Sequence, residues 1–303
     1  MVVMEGLANS LRVWSSENIP ANSWFYFTNP MYPYRREELA QHVSFFMEAT
    51  EGRFPVERLV HLANDEAQAR LACDLGMTRS FCCNQNCWID YSVFCIMGEW
   101  KQKRFDLVLN TRPERSLKRP HLAAAVDNLC VIKGALHRKE DYFELEELRP
   151  RYINKEYISP VEVNDLLNMS RVGGIFSAAE GACYASSEYL LAGLPVVSTP
   201  CSGGREFWYS ERNSIICEPT VEGVLAGVKG AIECLEKGAF SPSSIRAEHV
   251  KLSNLLRVRF IESFAGILSE MGSCADPHVI VRSYLLGGEF IRRSRYPRYA
   301  DNG

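Results

Sequence analysis

Glu180 and Glu188 stand with seven residues between them, at the two ends of the stretch EGACYASSE. An apolar run entered through Gly173-Gly174 precedes the first, and Gly193 and Pro195, which stop a helix, follow the second. This spacing puts Glu180 on the turn leaving a strand and Glu188 about one turn inside the next helix, both toward one crevice. Gly181, Ala182 and Cys183 are small, so with Tyr184 at the helix start they leave the first backbone N–H groups facing outward, as an anion requires. Two carboxylates beside such a terminus repel a phosphate unless each is engaged elsewhere. Sugar hydroxyls are partners that fit, so the combination points to a nucleotide sugar. Taken alone, the pair also has a plainer reading, with Glu188 a solvated helix residue and Glu180 an acid favoured by the helix dipole.

A second cluster lies at Asn110 to Pro120, NTRPERSLKRP, where Arg112, Arg115, Lys118 and Arg119 face a single acid. It follows Phe105 to Leu109 (FDLVL), which reads as the first strand of a nucleotide-binding α/β unit. A basic loop at the carboxyl end of such a strand is where a diphosphate is neutralised. By itself it reads equally as a solvated surface loop. Cys82, Cys83, Cys87 and Cys95 cluster without a Cys-x2-Cys pair or a nearby histidine, so they read as reduced, buried thiols and no metal site is expected. His61, in a strand, and His42, on a helix, read as structural histidines.

EGACYASSEYLLAGLPVVST followed by SGGRE resembles the E-x7-E segment of the family 4 glycosyltransferases, retaining enzymes of the two-Rossmann GT-B fold. Glu180, Gly181, Glu188, Gly193, Pro195, Val196 and Val197 match its pattern, and Glu206 matches with Ser202-Gly203 in place of the usual glycine pair. Ala182 and Cys183 replace a Phe-Gly, and Tyr189 replaces a small residue. The resemblance implies that Arg112 and Lys118 hold the donor diphosphate, with Arg119 competing for the second role because the loop has one extra residue. It implies that Glu180 holds sugar hydroxyls and Glu188 the ribose, and that the nucleobase lies near Glu156 and Tyr157. No cofactor or metal is implied.

The elements that must position these residues alternate. Ser23 to Thr28, Arg58 to Ala63 and Ser80 to Cys83 read as strands, with helices at Arg35 to Ala49 and Asp65 to Leu75 between them, half a Rossmann domain. Asn84 to Phe94 resembles a domain crossover. Further strands are expected at Asn128 to Lys133, Gly173 to Ala179, Pro195 to Thr199 and Ser214 to Cys217, an extended segment at Tyr152 to Ile158, and helices at His121 to Val126, Lys139 to Glu147, Val161 to Met169, Tyr184 to Ala192, Val221 to Glu236 and Ser243 to Met271. Ser159-Pro160-Val161-Glu162 is a capping box. The expected fold is α/β, two Rossmann-like domains facing across a cleft, with limits 1–95 (shortened, acceptor side), 96–271 (nucleotide-sugar side) and a tail, 272–303.

The chain has 303 residues, 47% of them apolar and 23% charged, enough for a sizeable core. Its net charge of −3 speaks against nucleic acid as a partner. No apolar run reaches the ~18 residues that span a bilayer, and Met1 to Ser15 lacks the basic start of a leader, so a cytoplasmic protein is expected. The tail from Gly287, rich in arginine, is either solvated or a weak contact for a membrane surface or partner. A homodimer is expected to cover the edges left by the short first domain. The function expected is retaining transfer from a nucleotide-diphosphate sugar to an unidentified acceptor. The alternatives are a nucleotide-sugar epimerase or phosphorylase on the same plan, and a non-catalytic nucleotide-sugar-binding module.

Overall fold

The computed structural model describes residues 2–5, 20–28, 36–50, 52–97, 103–135 and 139–281. Two compact units emerge, residues 1–89 with 252–303, and residues 90–251. The expected limits were 95 and 271. The helix Pro242–Glu270 gives its first ten residues to the second unit and the remainder to the first.

In the first unit, β1 (Val2–Glu5), β2 (Phe25–Thr28), β3 (Leu59–Ala63) and β4 (Arg79–Cys82) form a parallel sheet in sequence order. Strand alternation sends Phe25 and Phe27 to one face, where they join Leu39 and Phe46 of helix Arg36–Ala49, Phe54, Leu59, Ala72 and Met77 in a fully buried cluster. Tyr26 packs on Phe260 of the long helix, ring centroids 5.1 Å apart. Helix Glu66–Asp74 starts at Asp65, whose carboxylate accepts the Gln68 amide, and the chain leaves it through Gly76 at φ +91°. His61 is fully buried, stacked on Phe27 and hydrogen-bonded through Nδ1 to Ser80 Oγ at 2.8 Å, a structural histidine. The side chain of His42 and the basic tail from Gly287 lie outside the described residues.

The second unit holds a six-stranded, wholly parallel sheet: β5 (Phe105–Thr111), β6 (Leu129–Lys133), β7 (Tyr152–Ile153), β8 (Ser170–Ile175), β9 (Val196–Ser198) and β10 (Ser214–Ile216), ordered β10-β9-β8-β5-β6-β7. The order reverses between β5 and β8, and in such sheets ligands bind where the order reverses, outside the carboxyl ends of the strands. The capping box is complete: Ser159 Oγ accepts the Glu162 amide, and the Glu162 carboxylate accepts the Ser159 amide at 2.7 Å, opening helix Pro160–Asn168. Thr220 caps helix Val221–Glu236 in the same manner through the Gly223 amide.

Two expected helices do not form. At Lys139 to Glu147 the Phe143 amide donates to Pro113 O at 2.7 Å, and Tyr142 pairs with Glu114 as an antiparallel bridge. Burial of Phe143, Leu145 and Leu148 then leaves only two 3-10 turns, Lys139–Asp141 and Leu145–Leu148. The charged residues of this segment suggested a surface helix, but the apolar residues among them are drawn inward. At His121 to Val126 a 3-10 turn, Pro120–Ala123, follows the single-turn helix Arg115–Lys118, and Arg119 joins them in the left-handed region at φ +50°. The eleven cysteines are free thiols. Among the described residues no helix is long and apolar enough to cross a membrane.

Candidate functional site

The segments leaving β5 and β8, the two strands at the reversal, carry most of the residues singled out from the sequence, while Glu156 and Tyr157 follow β7 and Glu206 follows β9. Lys118, on the helix after β5, donates to Glu180 Oε1 across the gap. Ser177 Oγ donates to the same oxygen at 2.7 Å, and the carboxylate is almost wholly buried. Burial alone raises the Glu180 pKa, but the Lys118 ammonium, the Ser177 hydroxyl and the nearby Arg205 guanidinium outweigh it and hold the carboxyl below its ordinary range.

Eight positions on, Glu188 is buried inside helix Tyr184–Leu191 and accepts from Asn110 Nδ2 at 3.0 Å. The Asn110 backbone amide donates to the Tyr189 hydroxyl at 2.6 Å, so one residue at the end of β5 holds both side chains. Burial drives the Tyr189 phenol well above its ordinary pKa, and it remains protonated. The ring fits because β8 has glycine opposite it: a Cβ on Gly173 would stand 2.2 Å from Tyr189 Cδ2. Gly173, the first of the glycine pair, and the large residue after the second glutamate are therefore one packing device, while Gly174 makes room for Leu107, Leu109 and Phe176.

Cys183, at the N-cap of this helix, has φ +55°, the left-handed conformation that glycine adopts most readily. That backbone demand accounts for a glycine here in the E-x7-E pattern. Burial pushes the Cys183 thiol up to about 12, which disfavours its nucleophilic thiolate form.

Arg112 Nε pairs with the buried Glu114 carboxylate at 3.3 Å. Arg119, the competitor of Lys118, is spent on the scaffold: its guanidinium donates to Phe176 O at 2.6 Å, Thr199 Oγ1 at 2.9 Å and Pro200 O at 3.4 Å. Glu206 accepts from the Cys201 amide at 3.1 Å, and Tyr157 is exposed. Thus Glu180 and Lys118 meet directly, Glu188 and Tyr189 are both tied to β5 through Asn110, and Arg112, Arg119 and Glu206 each have a separate partner.

Three participants were not foreseen. Asn110 and Ser177 carried no motif signal of their own beyond closing a strand. Arg205 was not singled out within SGGRE, yet among the described residues it is the largest fully buried side chain, donating to Ser177 O at 3.1 Å and Thr199 O at 2.6 Å. Its placement after the glycine pair was the one available signal. Among the described residues no three His, Cys, Asp or Glu gather as metal ligands would.

No family model and no curated protein sequence matches the chain. Solved structures match it over most of its length. HepE of Anabaena, crystallised with UDP-glucose, is 14% identical with a TM-score of 0.62, covering 86% of this chain and 77% of its own. The same protein with UDP gives 13%, 0.60, 86% and 82%. An E. coli structure described as trehalose-6-phosphate bound with UDP-2-fluoro glucose gives 12%, 0.56, 84% and 70%. At these identities the likeness shows the fold: the chain has the α/β, Rossmann-like GT-B fold of glycosyltransferases.

Proposed function

We propose that this protein is a retaining, metal-independent glycosyltransferase that takes a sugar from a nucleotide-diphosphate donor. The observation that carries this reading is the contact of Lys118 with Glu180 where the loops of β5 and β8 meet, the position at which such sheets bind ligands. The UDP and UDP-glucose named for the HepE structures favour a uridine donor. Arg112 and Lys118, with the amides at the start of helix Tyr184–Leu191, stabilise the leaving diphosphate as its negative charge grows. Glu180 orients the sugar hydroxyls and Glu188 the ribose. Tyr157 and Glu156 lie beside the nucleobase, and Glu206 borders the donor. The acceptor proton passes to the departing phosphate, so no protein base is required. The reaction takes place in the cytoplasm.

A second reading, a nucleotide-sugar-binding module without turnover, is favoured by one feature. Both cations assigned to the diphosphate already have carboxylate partners, Glu114 for Arg112 and Glu180 for Lys118. A thermal-shift screen over UDP-, GDP- and dTDP-sugars, followed by product assays with cell extract, separates the two. Ligand at 100 times its dissociation constant adds about 2.7 kcal/mol to the folded state. Stabilisation with sugar transfer supports the transferase, stabilisation without transfer the module, and no stabilisation by any donor contradicts both.

A further inference from the structure

We propose that Arg205 is a positioning residue: its guanidinium ties the ends of β8 and β9 together at the one spacing that seats Glu180 against Ser177 and Lys118. The inference rests on the transferase reading for its role in turnover. Beyond their last paired residues the two strands stay zipped, with an Ala179–Ser202 bridge, Glu180 N donating to Ser202 O at 3.0 Å, and Ser202 N to Ala178 O at 3.1 Å. Arg205 closes the base of this zipper, one nitrogen on Ser177 O and the other on Thr199 O. Ser177 is also the residue whose hydroxyl holds Glu180.

Arg205 Nε has no partner among the described residues, although the side chain is fully buried. A sealed guanidinium with an unused donor is a costly way to fill space, and apolar residues of similar volume do so more cheaply. Its charge has a use that Lys118 cannot serve. Lys118 cannot neutralise Glu180 fully while it also holds a diphosphate, whereas Arg205, enclosed away from any ligand, stays in place. Among the described residues, the charged and titratable groups that act on Glu180 are Lys118 and Arg205, with the thiols of Cys183 and Cys201 beside it. When the phosphate engages Lys118, Arg205 and Ser177 keep Glu180 a carboxylate pointed at the sugar.

The test uses the full chain with Arg205→Lys and Arg205→Gln, each with and without Glu180→Gln. Turnover falls about 30-fold in Arg205→Gln while free UDP binds within about threefold of wild type, and Arg205→Lys recovers part of the rate. Glu180→Gln, which lowers wild-type turnover about 100-fold, lowers it less than about threefold in the Arg205→Gln background, where the carboxylate is already misplaced, and by an intermediate factor in the partly rescued Arg205→Lys background. An equal Glu180→Gln loss in all three backgrounds overturns the proposal. If Arg205→Gln does not fold, the Arg205→Lys comparison decides alone. If wild type transfers no sugar, the proposed function fails, and urea unfolding at pH 7 still decides this inference: a stability cost of Glu180→Gln that changes with residue 205 supports it, and an additive one overturns it.

Discussion

Gly173→Ala is the substitution whose effect the geometry fixes most tightly. The new Cβ would lie 2.2 Å from Tyr189 Cδ2, 2.4 Å from Cγ and 2.8 Å from Cε2. Carbon atoms in contact prefer about 3.5–4.0 Å, so the ring must retreat by more than about 1 Å. It has little room, being fully buried and held at its far end by the Asn110 amide. Overpacking of a well-filled core costs about 1–3 kcal/mol, and the double restraint places this case near about 3. For a unit of this size that lowers the melting temperature by about 6–12 °C. Free UDP should also bind more weakly, because displacing Asn110 disturbs Glu188. Urea unfolding and calorimetry measure both effects. In a Tyr189→Leu background the same Gly173→Ala change should cost less than about 1 kcal/mol, since the opposing ring is gone. An undiminished penalty there would refute the account of how Gly173 and Tyr189 fit.

Lys118→Met leaves Glu180 buried with Ser177 and Arg205 alone, and should destabilise the fold by about 3 kcal/mol at pH 7. The depressed Glu180 pKa gives stability that is present above the ordinary carboxyl value of 4.5 and lost as pH falls through the lower folded value, so the gap between wild type and Lys118→Met narrows below 4.5 in a pH series of urea melts. Thr220→Ala removes the hydroxyl that accepts the Gly223 amide and should cost about 1 kcal/mol by thermal unfolding, with nucleotide affinity unchanged.

Much of the second unit was legible because its signals are local. Ser159, Pro160 and Glu162 declare a helix start, Thr220 another, and Gly193, at φ +76°, the end of helix Tyr184–Leu191. The basic loop and Glu180 come together because each follows a strand, and parallel strands bring their carboxyl ends to one side of the sheet. What escaped notice depends on distant partners. Nothing within SGGRE says that Arg205 will be buried, because its acceptors belong to strand ends several residues earlier and on another strand. Arg119 and Lys118 are adjacent and alike in charge, and only the left-handed turn at Arg119 sends one guanidinium to Phe176 and Thr199 while the neighbouring ammonium meets Glu180. The helix expected at Lys139 to Glu147 failed for the same reason, since its partner, Pro113, lies far back in the chain.

The central claim is that Glu180 serves the sugar and Glu188 the nucleotide, and titration calorimetry of free UDP on Glu180→Gln and Glu188→Ala, paired with a sugar-transfer assay, tests it most directly. Glu188→Ala should weaken UDP by about 1.5–3 kcal/mol, the worth of a hydrogen bond to a charged group. Glu180→Gln should bind UDP almost as wild type does while turnover falls about 100-fold, equivalent to about 2.7 kcal/mol of lost transition-state positioning. Full turnover in Glu180→Gln, or UDP binding unaltered by Glu188→Ala, would contradict the assignment.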